Sequence, residues 1–561
     1  MMARREANAD RAKALLRVED LTVAFGAGRD RRQVVRGVSF EVAPGECFAI
    51  VGESGSGKSV TARTLLGLAG ASSHVTATRL ELRGKPVLHH RDRDWRRVRG
   101  REVGFVLQDA LVSLDPLRTV GREIAETLRL HRFGGGALRR ERVLELLTAV
   151  GVPEPELRSR QLPHELSGGQ RQRALIASAI ALDPPLVIAD EPTTALDVTI
   201  QAQILDLLQA MKERGTGLIL ISHNLAVVSR LADRIAVMRD GRLVEEGAVA
   251  DVLTQPRDPY TQALLDAVPA AHRKGTRLSN VPPRPVHAGH CSEPPADGIV
   301  LQADSLVKRF GGPDGVERAA VEDVSFTIGV GETLGIVGES GSGKTTTARL
   351  ALALLQPDAG TVRLAGEPWS EATEAQRRPR RRRISVVYQD PLGSFDPRWT
   401  VRRIVEDALP TDVYPDSAAR HRRTRELLAD VGLGDEHLGR RPLLLSGGQR
   451  QRVAIARALA PEPSLIVCDE PVSALDVTIQ AQVLDLLSDL QQKLGLSYLF
   501  ISHDLGVIHH VADRVLVMRD GGVVESGTAT EIFETPRDPY TRQLLTSLPV
   551  VEPEPALGGQ S

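Results

Sequence analysis

Cysteine is scarce in this chain, with only Cys47, Cys291 and Cys468 among 561 residues. None of them belongs to a C-x-x-C pair, so the sequence predicts neither a disulfide framework nor a zinc site, and a reducing compartment is the simplest interpretation. Long apolar runs are also missing, because no stretch approaches the roughly 18 residues that a membrane helix needs. The first twenty residues lack the apolar segment of a signal peptide. We therefore expect a soluble chain whose role at a membrane depends on partners.

An excess of charge of one sign is absent as well, because 71 Lys and Arg balance 72 Asp and Glu. This balance argues against a general polyanion binder. Two local basic runs, 91–101 and 377–383, precede the same predicted strand in each half, and neither has interleaved stacking aromatics beyond Trp95. We interpret the runs as solvated faces or as a rim near membrane headgroups, and we expect no nucleic-acid partner.

A duplication of a whole domain accounts for the length of the chain. Lys58 recurs as Lys344 and Asp190 as Asp469, at offsets of 286 and 279 residues. Such offsets are far too long for the period of a solenoid. We predict a first domain over 16–269, an exposed linker rich in Pro and Gly over 270–298, a second domain over 299–549 and a disordered tail over 550–561.

Strand and helix patterns alternate within each half. An unbroken apolar run, CFAIVG or TLGIVG, is typical of a strand buried on both faces of a parallel or mixed sheet. Val143, Leu146, Leu147 and Val150 recur at the spacing of one helix face. VMRDGRLVEEG and VMRDGGVVESG predict strand pairs joined by Asp-Gly turns.

Each apolar run leads into a glycine-rich stretch, GESGSGKS at 52–59 and GESGSGKT at 338–345, that matches the phosphate-loop (P-loop) pattern. The glycines let the backbone approach phosphates, the next helix offers free N–H groups, the lysine adds a positive charge, and the hydroxyl ligates Mg²⁺. The predicted phosphate-binding residues are Gly52, Gly55, Gly57, Lys58 and Ser59 in the first half, and Gly338, Gly341, Gly343, Lys344 and Thr345 in the second.

An Asp-Glu pair ends a later apolar strand in each half. Asp190 and Asp469 are placed to bind Mg²⁺ together with the P-loop hydroxyls. The following residues, Glu191 and Glu470, can orient or deprotonate the attacking water. The alternative is a solvated acidic pair at a strand end, and the presence of both P-loops argues against it.

The run LSGGQRQR, at 166–173 and 445–452, gives each half a second helix N-terminus that can face an anion. With these motifs all present twice and in the same order, the sequence resembles the ABC (ATP-binding cassette) ATPase family, whose signature is LSGGQ. The resemblance implies an α/β fold of two P-loop NTPase cassettes, each with a mixed β core and an α-helical subdomain. It also implies a head-to-tail sandwich within the chain, in which Ser446 and Gly448 complete the ATP site of Lys58, and Ser167 and Gly169 complete that of Lys344.

Further roles follow from the resemblance, one position at a time. The family has a glutamine that senses Mg²⁺ and water and relays to a membrane partner, and the matching residues are Gln108 and Gln389. Its histidine that contacts the γ-phosphate is matched by His223 and His503. Its aspartate in the loop that couples the sites is matched by Asp197 and Asp476, and its aromatic residue that stacks on adenine is matched by Phe25 and Phe310. A lone histidine is more often structural, but the repeated Ile-Ser-His context after an apolar strand argues against that alternative here. Either phenylalanine can equally be a core residue.

Both ATP sites are predicted to hydrolyse ATP, because the carboxylate, the histidine and the signature are intact in each half. Unchanged ATP turnover in Glu470→Gln, together with its loss in Glu191→Gln, would contradict this prediction.

The runs QDALVSLDP and QDPLGSFDP and the tails PRDPYTQALL and PRDPYTRQLL resemble the oligopeptide, dipeptide and nickel importer ATPases. This resemblance implies two integral-membrane permease subunits, an extracytoplasmic substrate-binding protein and a peripheral location at the cytoplasmic face of the membrane. Many relatives hold an iron–sulfur cluster after the first tail, but only Cys291 lies there, so we predict no cluster. The substrate stays open among dipeptides, oligopeptides, glutathione, nickel and peptide-like antibiotics.

Two other functions are alternatives to import. An exporter ATPase is disfavoured by the P-Y-T-x-x-L-L tails. A soluble tandem ATPase that acts on ribosomes or DNA is disfavoured by the short, proline-rich linker and by the absence of C-x-x-C zinc modules from the sequence.

Overall fold

The structure of the chain is a computed structural model, which describes residues 14–26, 31–70, 72–107, 113–193, 198–287, 295, 297–311 and 317–546. It divides into two compact units, the first ending at Leu265 and the second running from Asp266 to Leu548. In the described part of the chain, no helix combines the length and the apolar character that a membrane crossing requires.

The first unit alternates strands and helices. Its strands are β1 Leu16–Phe25, β2 Arg32–Val42, β3 Cys47–Val51, β4 Ser73–Thr76, β5 Arg79–Leu82, β6 Lys85–Pro86, β7 Val103–Val106, β8 Leu186–Asp190, β9 Gly217–Ile221, β10 Arg234–Arg239 and β11 Arg242–Ala248. Its helices are α1 Lys58–Thr64, α2 Asp92–Val98, α3 Val120–Leu130, α4 Gly136–Ala149, α5 Pro155–Arg158, α6 Gly168–Ala179, α7 Val198–Glu213, α8 Leu225–Leu231, α9 Val249–Thr254 and α10 Pro259–Asp266, with a 3₁₀ turn at Pro163–Glu165.

The second unit repeats this order. Its strands are β12 Ile299–Gly311, β13 Glu317–Gly329, β14 Thr333–Val337, β15 Ala359–Leu364, β16 Glu367–Pro368, β17 Ile384–Val387, β18 Leu465–Asp469, β19 Ser497–Ile501, β20 Arg514–Arg519 and β21 Gly522–Thr528. Its helices are α11 Lys344–Ala351, α12 Glu374–Arg377, α13 Val401–Glu406, α14 Ser417–Asp430, α15 Gly447–Leu459, α16 Val477–Leu494, α17 Leu505–Val511, α18 Ala529–Glu534 and α19 Pro539–Thr546. Its 3₁₀ turns are Pro269–Ala271, Arg378–Arg383, Asp435–His437 and Pro442–Leu444.

Two sheets form the β core of each unit. In the first unit an antiparallel sheet has the order β2-β1-β5-β6, with β4 also paired to β1, and a mixed sheet has the order β7-β8-β9-β3-β10-β11. The second unit has the orders β13-β12-β15-β16 and β17-β18-β19-β14-β20-β21. In both mixed sheets the last strand alone is antiparallel to its neighbour. The fold class predicted from the sequence is therefore confirmed.

The register of the first mixed sheet aligns the carboxyl ends of three neighbouring strands. Asp190 at the end of β8 pairs with Ile221 at the end of β9, and Ile221 pairs with Ile50 in β3. All five residues of each of these strands are buried, which explains their unbroken apolar sequences. The loops that follow them leave the sheet at one edge.

The predicted helix faces and turns are also present. Val143, Leu146 and Leu147 are the buried residues of α4, and Val150 lies buried just after its end. Helices α3, α4 and α6 contact one another and form the helical subdomain. In the turn between β10 and β11, Asp240 and Gly241 both have positive φ, as a type I′ turn requires.

Most of the described connector residues, 270–287, are exposed, but they belong to the second unit, and a few of them dock on it. The Asp485 carboxylate, on α16, accepts hydrogen bonds from the backbone N–H groups of Leu278 (3.0 Å) and Ser279 (2.9 Å) and from the Ser279 hydroxyl (2.6 Å). Leu278 is 3% exposed. Asp430 accepts hydrogen bonds from the backbone N–H (2.9 Å) and the ring Nδ1 (2.6 Å) of His287. A proline-rich composition did not reveal these contacts, because the acceptors lie far away in the sequence.

We predict that Asp485→Asn releases the connector. The amide replaces a charged acceptor oxygen with a donor that faces other donors, which costs about 1.5–3 kcal/mol. Trypsin cleavage near Lys274 and Arg277, followed by mass spectrometry, should therefore accelerate about tenfold or more, because cleavage follows the population of the open form. The matched control is Asp206→Asn, at the repeat position in α7, where the carboxylate is 69% exposed and pairs with Arg230 at 2.7 Å. Equal cleavage rates in the two variants would contradict the prediction.

Candidate functional site

The phosphate loop of the first unit follows β3 and ends where α1 begins at Lys58. Gly52 and Gly57 have φ values of 144° and 108°, and a Cβ at these positions would lie 2.1 Å from the Met238 carbonyl oxygen and 2.9 Å from that of Val34. Only glycine fits there. A Cβ at Gly55 would meet nothing within 4 Å, so this part of the loop borders open space.

The second unit builds the same loop between β14 and α11. A Cβ at Gly338 would lie 2.2 Å from the Met518 carbonyl oxygen, and one at Gly343 would lie 2.3 Å from that of Ala320. Gly341, like Gly55, borders open space. Both P-loops therefore have the backbone shape that their sequences predict.

The P-loop lysines are buried and reach back across their loops. The Lys58 Nζ atom donates to the carbonyl oxygens of Gly52 at 2.7 Å and Glu53 at 2.8 Å. Lys344 donates to those of Gly338 and Glu339, both at 2.7 Å. Each ammonium group therefore lies against the loop, where it can attract the oxygens of a bound phosphate.

The P-loop hydroxyls contact the strand-end aspartates. The Ser59 hydroxyl donates to Asp190 Oδ1 at 3.0 Å, and the Thr345 hydroxyl donates to Asp469 Oδ1 at 3.4 Å. Burial is the main reason why the pKa of each aspartate is raised; the neighbouring Glu191 or Glu470 adds to it, and the hydroxyl hydrogen bond opposes it.

The donor set fits Mg²⁺. The second oxygen of Asp190, Oδ2, is buried and has no hydrogen-bond partner, so a cation ligated by it would satisfy this atom. Carboxylate and hydroxyl oxygens are ligands that Mg²⁺ prefers. A nearby dication also favours the ionised carboxylate, which burial alone disfavours.

The strand-end glutamates face the predicted histidines. His223 Nδ1 lies 3.2 Å from Glu191 Oε1, and His503 Nδ1 lies 3.1 Å from Glu470 Oε2. Glu191 and Glu470 have φ values of 51° and 49°. This left-handed conformation is uncommon for residues other than glycine and typical of functional sites.

In the second unit a third predicted residue joins this group, because Gln389 Nε2 donates to Glu470 Oε2 at 2.8 Å. Burial raises the pKa of Glu470, but the hydrogen bond and charge of His503 and the charge of Lys344 outweigh it and leave this pKa lowered. Burial lowers the pKa of His503, and the hydrogen bond and charge of Glu470 outweigh it and leave this pKa raised. The arrangement can hold a water molecule next to an ionised carboxylate.

Each signature run caps a helix. The Ser167 hydroxyl accepts from the Gln170 N–H at 3.3 Å, the Gln170 side chain accepts from the Ser167 N–H at 3.2 Å, and Ser446 and Gln449 form the same capping box. A Cβ at Gly169 would lie 2.6 Å from Ile200 on α7. The glycine therefore lets the signature helix pack closely on α7.

The sequence reasoning missed the last arginine of the LSGGQRQR run. Arg452 is partly buried, and it donates to the Val431 carbonyl oxygen at 2.7 Å and to Gln482 on α16 at 3.0 Å. Arg173 bonds to the Gly151 carbonyl and to Gln203 in the same way. The recurrence of this arginine in both halves is the sequence feature that could have indicated its role. These bonds join the signature helix to two neighbouring elements.

Some of the remaining predicted residues are described by the structure, and others are not. Phe310 is 44% exposed, with Lys308 Nζ 5.8 Å from its ring centroid, whereas Phe25 packs against the core of the first unit. Asp476 directly precedes α16. Gln108, Asp197 and Cys291 lie outside the described residues. The absence of an iron–sulfur cluster therefore stays a prediction.

Two P-loops, each with a hydroxyl–aspartate pair and a glutamate–histidine pair at one sheet edge, define a P-loop ATPase. Residues 35–194 and 321–473 match the ABC transporter family, and residues 244–292 and 524–560 match the family described as oligopeptide/dipeptide transporter, C-terminal region. The chain belongs to the ABC transporter family, and its ATP hydrolysis is coupled to transport.

Three relatives match nearly the whole chain. The oligopeptide transport ATP-binding protein OppD of Mycobacterium bovis is 42% identical over 97% of this chain and 100% of its own. The peptidoglycan transport ATP-binding protein YejF of Agrobacterium fabrum is 46% identical over 95% of this chain and 96% of its own. The glutathione import ATP-binding protein GsiA of Salmonella paratyphi A is 42% identical over 97% of this chain and 90% of its own. The family resemblance drawn from the sequence is confirmed.

We predict that the pKa of His503 falls in Glu470→Gln, because the variant removes the charge that outweighs burial. In the native chain the protonated histidine persists above its ordinary pKa, and the stabilisation of the folded state by this pair is lost as pH rises through the raised value. NMR titration of labelled histidines, with His503→Gln to assign the signal, measures the shift. Glu191→Gln is the control and should leave the His503 titration unchanged. A His503 pKa that is equal in both variants would refute the assignment.

Proposed function

We propose that this chain energises a membrane importer for oligopeptides, dipeptides or related small peptides such as glutathione. The observation that carries the proposal is the tail P-R-D-P-Y-T, which ends both cassettes and lies in the segments that match the oligopeptide/dipeptide transporter family. Relatives named for oligopeptide, peptidoglycan and glutathione transport match over nearly the whole chain, which supports it. The proposed partners are two permease subunits and an extracytoplasmic binding protein, with this chain at the cytoplasmic face of the membrane.

The proposed mechanism assigns one task to each group of residues. Lys58 and Lys344 bind the β- and γ-phosphates of ATP. Ser59 with Asp190, and Thr345 with Asp469, would hold Mg²⁺, which would supply neutralisation of phosphate charge. Gln108 and Gln389 would sense this ion and the attacking water.

Glu191 and Glu470 orient or deprotonate the attacking water. His223 and His503 hold these carboxylates and contact the γ-phosphate, and Phe25 and Phe310 stack on adenine. Both sites are proposed to hydrolyse ATP.

Each ATP site is proposed to be completed by the signature of the other cassette. Ser446 and Gly448 serve the site of Lys58, and Ser167 and Gly169 serve that of Lys344. Each signature run begins a capped helix, and a helix N-terminus can bind an anion such as phosphate. Closure on ATP would move the permease, and hydrolysis would reopen the pair.

A crosslinking experiment tests the pairing. Ser54, Ser167, Ser340 and Ser446 are all exposed, and the native Cys47 and Cys468 are fully buried. In a Cys291→Ser background we expect a short bis-maleimide to join Ser54→Cys to Ser446→Cys, and Ser340→Cys to Ser167→Cys, when ATP and Mg²⁺ are present. The product is read as a mobility shift on a denaturing gel. The same-cassette pair Ser54→Cys with Ser167→Cys is the control, and its preferential crosslinking would reverse the assignment.

Uptake by cells tests the transport function. Cells with the permease genes intact receive the native chain, the Lys58→Ala, Lys344→Ala double variant, or Lys85→Ala, which removes an exposed lysine in β6. Labelled dipeptides, oligopeptides, glutathione and nickel are supplied in parallel. We expect the double variant alone to lose uptake of a peptide class, because its P-loops lack the phosphate-binding charge. Unchanged uptake of all substrates would refute import of these cargoes and favour export or a soluble role.

A further inference from the structure

A tyrosine of each C-terminal tail contacts a phosphate loop. Tyr260, on α10, accepts a hydrogen bond at its hydroxyl oxygen from the Glu53 backbone N–H at 3.1 Å. Tyr540, on α19, accepts one from the Glu339 N–H at 3.2 Å. Each pair is separated by about two hundred residues, and each tyrosine is less than a tenth exposed. The same contact is therefore built twice in one chain.

The contacted residue is the one that the P-loop lysine also holds. The Glu53 carbonyl oxygen accepts a hydrogen bond from Lys58 Nζ at 2.8 Å, while its N–H donates to Tyr260. Glu339 is bound in the same way by Lys344 and Tyr540. Two hydrogen bonds through one residue thus connect the tail to the lysine of the ATP site.

The tail itself is fixed before it reaches the loop. The Glu245 carboxylate, on β11, accepts from the N–H groups of Arg257 at 2.7 Å and Asp258 at 3.1 Å, and Asp258 Oδ1 accepts from the Tyr260 N–H at 2.8 Å. The Arg239 guanidinium lies 4.8 Å from the centroid of the Tyr260 ring. The second unit repeats these contacts with Glu525, Arg537, Asp538, Tyr540 and Arg519.

We propose that Tyr260 and Tyr540 are positioning residues of the two ATP sites. Each hydroxyl holds the peptide that follows the first P-loop glycine, and so fixes the loop and its lysine in the shape that receives phosphate. The tail is then part of the ATPase machinery rather than only a closing helix. Because the readout is ATP binding and hydrolysis by the full chain, this inference stands apart from the identity of the transported substrate.

The test is the double variant Tyr260→Phe, Tyr540→Phe, which keeps both rings and their stacking on arginine and removes only the two hydroxyl groups. The KM for ATP should rise about fivefold, the factor expected for one lost hydrogen bond per site, while kcat changes less than twofold. The affinity for a fluorescent ADP analogue should fall by the same factor. A role limited to packing of the tail predicts no such split between KM and kcat.

The matched control is Tyr414→Phe. Its hydroxyl donates to Glu462 Oε1 at 2.8 Å within the second unit and does not contact a P-loop. This variant should lower the melting temperature without raising KM. If KM and ADP affinity are native-like in the Tyr260→Phe, Tyr540→Phe chain, or if Tyr414→Phe raises KM equally, the proposal is wrong.

A coupling experiment identifies the donor. Glu53→Pro with Glu339→Pro removes both loop N–H groups, and each proline follows a glycine, which has no Cβ to clash with it. In this background the two Tyr→Phe changes should have no further effect on KM. A full fivefold effect there would show that the hydroxyls act elsewhere and would overturn the proposal. If the proline variants lose ATP binding, the comparison of Tyr260→Phe, Tyr540→Phe with Tyr414→Phe decides.

Discussion

Parallel pairing of three buried strands is the constraint on which each unit depends. Because β8, β9 and β3 are neighbours in register, the turns after Asp190, Ile221 and Val51 leave the sheet at one edge. The strand register therefore places the carboxylates, the histidine and the P-loop next to one another at this edge. Burial of these strands also excludes water beneath the site, which raises the pKa of the strand-end aspartates and favours a bound cation.

Comparison of the two halves distinguishes the contacts that both ATP sites share from the connector contacts, which only the second unit makes. The P-loop, hydroxyl–aspartate, glutamate–histidine and tail contacts occur in both. The connector contacts occur only in the second unit. Its Asp430 and Asp489 correspond to Ala149 and Ala210 of the first unit. Its His510 corresponds to Arg230, which in the first unit pairs with Asp206. With that arginine gone, Asp485 is available to the connector, and Asp489 pairs with Arg277 at 2.8 Å. The docking surface is a property of the second cassette.

Local sequence predicted most of the fold and the first layer of the site, because the features concerned are local. Unbroken apolar runs marked the buried strands, and glycine spacing marked loops in which a Cβ would collide with Met238 or Met518. The missed features depend on contacts that no short pattern encodes: the burial of Leu278, the bonds of Arg452 and the hydroxyl of Tyr260 against Glu53. The tail was recognised as a marker of a subfamily, but its composition says nothing of where the tyrosine points.

Glu53 makes one hydrogen bond with Lys58 and another with Tyr260, and bound phosphate affects the two differently. Lys58 is a flexible cation that donates to two carbonyl oxygens, and phosphate oxygens are stronger acceptors than either, so its bonds can be exchanged. The Tyr260 bond joins a backbone N–H to a rigid, buried ring held by Asp258 and Arg239, and it does not compete with phosphate charge. A loop anchored on its N–H side keeps its shape while the lysine changes partners. The Tyr260 bond, which stays in place, therefore comes from the tail, whereas the Lys58 bonds, which can be exchanged, come from the loop itself.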